Sequence, residues 1–188
     1  RNPRSRTLDR LGTKQILGLM NREDRRVPSA VAREIPRIAR AVDLIVDRLA
    51  KGGRLFYVGA GTSGRLGVLD ATECPPTFGT PRTMVQGVIA GGRRALVRSI
   101  EGSEDDAKAA AAALRKRRLT KKDVVVGIMA SRRTPYALGG LEYGRTVGAA
   151  TIAVTANPAG KTPLRCDVVI APRVGPEVLT GSTRLKAG

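Results

Sequence analysis

The sequence predicts an α/β protein, a five-stranded, mostly parallel sheet with helices on both faces, and three observations carry that prediction. Leu55–Val58, Val85–Ala90, Val124–Met129, Thr151–Thr155 and Val168–Ile170 are short apolar runs rich in β-branched residues. They lack polar alternation, as strands buried on both faces do. Helical segments separate them, and regular β–α alternation gives parallel strands joined by crossover helices.

Taken in order, residues 1–12 read as an extended polar arm. Residues 13–21 and about 28–51 show helical apolar spacing, the second through Val31, Ile35, Ile38, Val42, Ile45 and Leu49. Gly52 and Gly53 stop that helix. The period then changes, which divides the chain into an N-terminal arm with helices (1–53) and a sheet domain (54–188). Segment 104–118 starts acidic (Glu104, Asp105, Asp106) and ends basic, as a helix dipole favours.

Composition removes several chemistries. With no histidine there is no Ser-His-Asp triad, no Cys-His pair and no histidine metal site. Cys74 and Cys166 are too few for a zinc cluster and read as reduced thiols of a cytoplasmic protein. No apolar run approaches the roughly 20 residues of a membrane span, and none of signal-peptide type follows the Arg-rich start. A formal charge of +18 suggests nucleic acid. Against that, residues 55–90 hold two basic and two acidic groups, and the chain has no Trp for base stacking. The excess sits where helix surfaces are expected, at Arg33, Arg37, Arg40 and the run Arg115 to Arg118. A solvated surface is therefore favoured over a nucleic-acid footprint.

Ligands of parallel sheets bind beyond the carboxyl ends of the strands, and three loops fall there. Gly59-Ala60-Gly61-Thr62-Ser63-Gly64 follows the first strand, Ala130-Ser131-Arg132-Arg133-Thr134-Pro135 the third, and Gly175 to Thr183 the last. Glycines allow close backbone approach, and hydroxyls with N–H groups at a helix start suit phosphate. Each loop alone reads equally as helix capping. Three on one edge point to a phosphorylated small molecule, with candidate contacts among Gly61, Thr62, Ser63, Gly64, Ser131, Arg132, Thr134, Ser182 and Thr183. The first loop also matches G-x-G-x-x-G. A dinucleotide site wants an acid after the second strand, where this chain has Arg93 and Arg94, so only an NADP-type site survives.

The stretch from Gly59 to Gly79, through Asp70-Ala71-Thr72-Glu73-Cys74-Pro75-Pro76, closely resembles the signature of N-acetylmuramic acid 6-phosphate etherases. These belong to the sugar isomerase (SIS) fold superfamily, as does the related, non-catalytic glucokinase regulatory protein. Val85 to Gly92, Glu101 to Asp106, Gly139 to Tyr143, Val174 to Gly188 and the opening Arg1-Asn2-Pro3 match as well. The resemblance implies an SIS-type three-layer sandwich and cleavage of the D-lactyl ether of the sugar phosphate. Opening the sugar to its aldehyde acidifies the C2 proton. A base removes it while an acid protonates the departing lactyl oxygen, and water then adds across the double bond. That chemistry needs acid–base groups and neither metal nor cofactor.

By the same resemblance Glu73 is the catalytic acid, Glu104 the second essential glutamate, and Glu177 an aid to ring opening. One carboxyl must carry a proton, which burial or a neighbouring carboxylate favours. The resemblance further implies a homodimer whose sites draw on both subunits. It also implies a helical stretch beyond Gly188, opened by the third loop and covering the sheet; without it apolar surface is exposed. Where the family has glycine, this chain has Arg132. At positive φ an arginine costs about 1 kcal/mol or more, and its side chain either obstructs the site or adds a phosphate contact. A non-catalytic sugar-phosphate-binding regulatory protein of the same fold is the alternative function.

Overall fold

The computed structural model describes residues 1–158 and 163–187. Strands β1 (Leu55–Gly59), β2 (Val85–Ile89), β3 (Val124–Ile128), β4 (Ala150–Val154) and β5 (Val168–Ile170) form one sheet in the order β2-β1-β3-β4-β5. Every pairing is parallel, so the expected sheet is wholly rather than mostly parallel. Val58 stands beside Val88 on one side and Gly127 on the other, and Gly127 beside Ala153. The strand order reverses between β1 and β3, so their carboxyl ends border the switch-point crevice.

Six α-helices complete the described fold: α1 (Thr13–Asp24), α2 (Arg26–Ala32), α3 (Ile35–Ala50), α4 (Gly61–Phe78), α5 (Ala107–Lys116) and α6 (Pro135–Val147). Phe56, Val58, Val125, Leu114, Tyr136 and Leu141 build the core between one sheet face and α5 and α6. Leu55, Val124, Val126 and Ile152 build the opposite core with Ala41 of α3 and Ala71 of α4. Adjacent strand residues thus feed different cores, which is why the strands are apolar throughout.

Four expectations are corrected. The helix expected over 28–51 is two, because Pro36 lies in the first turn of α3. Its ring and missing N–H do not continue a helix from Ala32. The segment 104–118 becomes helical only at Ala107, where the Asp106 carboxylate accepts the Ala109 N–H at 2.9 Å. Glu104 and Asp105 lie before it in a 3-10 turn, Ser103–Asp105. The arm 1–12 is not extended: it makes 3-10 turns at Pro3–Ser5 and Leu8–Arg10, and Asn2 is buried. The third loop opens no helix within residues 175–187, and Gly188 lies outside the described residues.

Ile35, Val42 and Val46 of α3 and Leu66, Leu69 and Phe78 of α4 are exposed. Among the described residues no helix is long and apolar enough to cross a membrane.

Two buried carboxylates tie distant segments together. Asp123 accepts the Arg54 N–H at 2.8 Å, its guanidinium at 2.9 and 3.1 Å, and the Thr120 N–H at 2.7 Å. Glu23 of α1 accepts Asn2 at 2.9 Å, Arg4 at 2.7 Å and Lys186 at 2.6 Å. Burial alone would raise the Glu23 carboxyl, but these donors outweigh it and hold it at about 2 against an ordinary 4.5. A carboxylate depressed in the folded state stabilises the fold above its unfolded pKa and loses that contribution as pH falls through the folded one. Acid titration followed by circular dichroism is therefore expected to show stability from this cluster intact above pH 4.5 and lost progressively towards pH 2. Glu23→Gln should flatten that dependence.

Candidate functional site

β1 ends at Gly59, and α4 begins at Gly61 after an extended Ala60. Gly61 has φ 54, open to glycine without strain. Gly64 packs against the strand end so closely that a Cβ there would meet Gly59 O at 2.7 Å and Ile89 Cγ1 at 2.6 Å. That approach sets the first turn of α4 directly over the end of β1. Gly64 thereby shapes the loop from below, while Thr62 and Ser63 face the crevice.

β3 leads to Ala130, Ser131 and Thr134, and Thr134 with Pro135 opens α6 as expected. Thr155 and Asn157 fix this loop by donating to Ala130 O at 3.2 Å and Ser131 O at 3.3 Å. The two helix starts flank a cavity of about 250 Å³, lined by Gly61, Thr62, Ser63, Ser131 and Thr134 together with Thr183. Aligned N–H groups at both starts favour an anion there.

The remaining wall is the loop between β2 and α5, including Ser99, Glu101, Ser103 and Glu104. Arg65 of α4 holds this loop by donating to Leu96 O at 3.4 Å and Arg98 O at 3.2 Å. Ser99 Oγ donates to Glu101 at 2.7 Å, and Ser103 Oγ to Ile100 O at 2.7 Å. Glu104 and Glu101 thus line the same cavity as the hydroxyls. Sequence reasoning missed Glu101, Ser99, Ser103 and Arg65 as wall residues. The motif containing Glu101 was visible, but nothing local shows which of its carboxylates turns inward.

The other expected residues are not in this wall. Glu73 is exposed on α4, well beyond the helix start. It is twelve residues from Gly61, or ~18 Å along the helix at 1.5 Å per residue. Glu177 instead caps a turn, its carboxylate accepting the Lys186 and Ala187 N–H groups at 3.2 and 3.0 Å. Ser182 accepts the Arg184 N–H at 3.4 Å.

Arg132 has φ 64, the left-handed conformation in which an arginine is strained. Its guanidinium donates to Pro158 O at 3.0 Å, and it is not among the cavity-lining residues. Arg132→Gly is accordingly expected to leave kcat/KM for a phosphorylated sugar within about twofold of the parent. A tenfold or larger rise, about 1.4 kcal/mol, would show that the arginine obstructs the site.

Cys74 and Cys166 are free thiols, and burial pushes Cys166 up to about 11, with Asp167 adding to the shift. That thiol is poorly suited to nucleophilic work. Among the described residues no group of three or more His, Cys, Asp or Glu is placed to hold a metal ion.

A parallel α/β sandwich with a hydroxyl-lined, two-helix anion cavity at its switch point defines the SIS class of domains. Comparison agrees: residues 37–145 match the family described as glucokinase regulatory protein N-terminal SIS domain, and the chain belongs to that family. Its whole length is 60% identical to an N-acetylmuramic acid 6-phosphate etherase of Mesorhizobium japonicum and 54% identical to one of Pectobacterium atrosepticum. It spans 61% and 62% of those relatives, about three-fifths of their length. The resemblance read from the motifs thus extends across the chain. A phosphoheptose isomerase structure from Neisseria gonorrhoeae superposes with a TM-score of 0.65 over 86% of this chain and 87% of its own, at 17% identity. One from Francisella tularensis gives 0.64 over 86% and 85%, also at 17% identity. These two support the fold alone.

Proposed function

We propose that the chain is the sugar-phosphate-binding part of a carbon–oxygen lyase that cleaves the D-lactyl ether of N-acetylmuramic acid 6-phosphate in the cytoplasm. The products are N-acetylglucosamine 6-phosphate and D-lactate. The observation that carries the reading is a carboxylate, Glu104, in the same cavity as two hydroxyl-bearing helix starts. The 6-phosphate binds Thr62, Ser63, Ser131 and Thr134, which leaves the sugar ring towards Glu104 and Thr183. The whole-length likeness to the etherases supplies the substrate.

In the reaction one carboxylate takes the C2 proton of the open-chain sugar, and an acid gives a proton to the lactyl oxygen as the C3–O bond breaks. Water adds at C3, and C2 takes up a proton that has exchanged with solvent. Glu104 is in place for one of these roles. Glu73 serves the other in a homodimer, delivered by a second copy, because ~18 Å of helix separates it from its own chain's cradle. The surface around it supports this: Leu66 and Leu69 are exposed at 40% and 57%, and their spacing to Glu73 puts all three on one stripe of α4. A stripe of two leucines and a carboxylate suits burial against another subunit, with the carboxylate reaching its site.

The test is phosphate dependence. The protein is expected to release D-lactate from N-acetylmuramic acid 6-phosphate and none from the unphosphorylated sugar. Ser63→Ala should raise KM about tenfold or more for one lost charge-assisted hydrogen bond. Tight binding of the sugar phosphate without lactate release would favour the non-catalytic sensor. Equal turnover of both sugars would remove the phosphate cradle from the account.

A further inference from the structure

We infer that Glu23 and Lys186 form a latch that positions Thr183 in the cavity wall, making both of them positioning residues for the sugar phosphate; this rests on the reading of the cavity given above. Lysine and glutamate are almost never fully buried. Here the two side chains are 1% and 0% exposed and 2.6 Å apart, although 163 residues separate them in sequence.

Their partners show what is fastened. Lys186 Nζ also donates to Pro176 O at 2.8 Å, and Asn2 Nδ2 donates both to that carbonyl, at 3.1 Å, and to Glu23 at 2.9 Å. The Glu177 carboxylate accepts the N–H groups of Lys186 and Ala187. The segment 175–187 contains no helix or strand, yet it is closed on itself near both ends and nailed to α1 and the N-terminal arm. Thr183 lies inside that closed segment, three residues before Lys186, and is its one residue in the cavity wall.

A buried ion pair is weak evidence for stability, since apolar residues of like volume often serve as well. What it supplies is a single geometry, because a displaced lysine takes its ammonium donor from Glu23 and Pro176 O at once. Fixing where Thr183 stands is the consequence specific to this position. Glu23 also accepts Arg4 at 2.7 Å and Arg26 at 3.5 Å, so both its oxygens are engaged and it cannot turn away.

The experiment measures N-acetylglucosamine 6-phosphate binding by calorimetry for Lys186→Met, Thr183→Val and the double variant. Hydrogen exchange is followed across residues 175–187, the strap. Each single variant is expected to weaken binding about tenfold, and the double variant no further, because both remove the same contact. Exchange should quicken in residues 177–187 and stay unchanged in β1 and β3. Asn2→Ala, which leaves the ion pair in place, should act in the same direction and less, so the idea stays testable if Lys186→Met folds poorly. Additive losses in the double variant would overturn the positioning role. Unchanged strap exchange in Lys186→Met would overturn the latch itself. Failure of the unsubstituted protein to bind the sugar phosphate, with strap exchange still quickened by Lys186→Met, would overturn the reading of the cavity and leave the latch standing.

Discussion

Glu73→Gln and Glu104→Gln are each expected to lose lactate release by about two to four orders of magnitude, and a mixture of the two inactive chains is expected to recover it. The recovery follows from geometry. Glu104 lines the cavity of its own chain, while Glu73 stands ~18 Å along α4 from the helix start that borders that cavity. If the site borrows Glu73 across a two-fold interface, a mixed dimer holds one intact site and one doubly substituted site. With random exchange half the dimers are mixed, so activity returns to about a quarter of the parent level. The assay is D-lactate formation after mixing, subunit exchange and dilution. No recovery above the sum of the separate variants would place both glutamates on one chain's site and contradict the shared arrangement. Leu66→Glu, on the same stripe of α4, should prevent the recovery while leaving the cavity wall untouched.

Asp123→Ala is expected to cost about 3–5 kcal/mol, the usual penalty for breaking a buried ion pair by removing one partner. Asp123 is 1% exposed and receives donors from Arg54 and Thr120 at once. Arg54 in turn donates to the Arg117 and Arg118 carbonyls at 3.0 and 2.7 Å and lies 4.9 Å over the Phe56 ring. Losing the carboxylate leaves the Arg54 and Thr120 N–H groups unpaired where β1, β3 and the end of α5 meet. For a chain of this size the cost corresponds to a fall in Tm of about 6–20 °C. Asp123→Asn keeps one acceptor oxygen and should fall between. A change of less than about 2 °C for the alanine variant would show that water replaces the carboxylate and that this junction carries little stability.

Much of the fold was legible because its signals are local. The five strands lie within a residue or so of the apolar runs, since residues buried on both faces leave no alternation to misread. The cavity loops after β1 and β3 were legible for a similar reason: glycine and hydroxyl residues at a strand end carry their geometry with them. Arg132 at φ 64 shows the same logic at one residue.

What was not legible is long-range. Lys186 belongs to a sequence with +18 of charge and would pass for surface, but its partner lies 163 residues away. Asn2, in an arm expected to be extended, is buried for the same reason. Glu177 was expected at the substrate and instead satisfies backbone N–H groups of its own turn. Glu101 and Ser99 enter the cavity from a loop without helical or strand periodicity, held in place by Arg65. Glu73 was expected as the catalytic acid, and only the length of α4 reveals its separation from the cavity.

The most direct measurement of the central claim is turnover of N-acetylmuramic acid 6-phosphate in deuterium oxide, with D-lactate assayed and the sugar product examined by NMR. Elimination and hydration predict D-lactate in equal amount with N-acetylglucosamine 6-phosphate carrying deuterium at C2. Lactate release with the C2 hydrogen fully retained, or no lactate at all, would contradict the account.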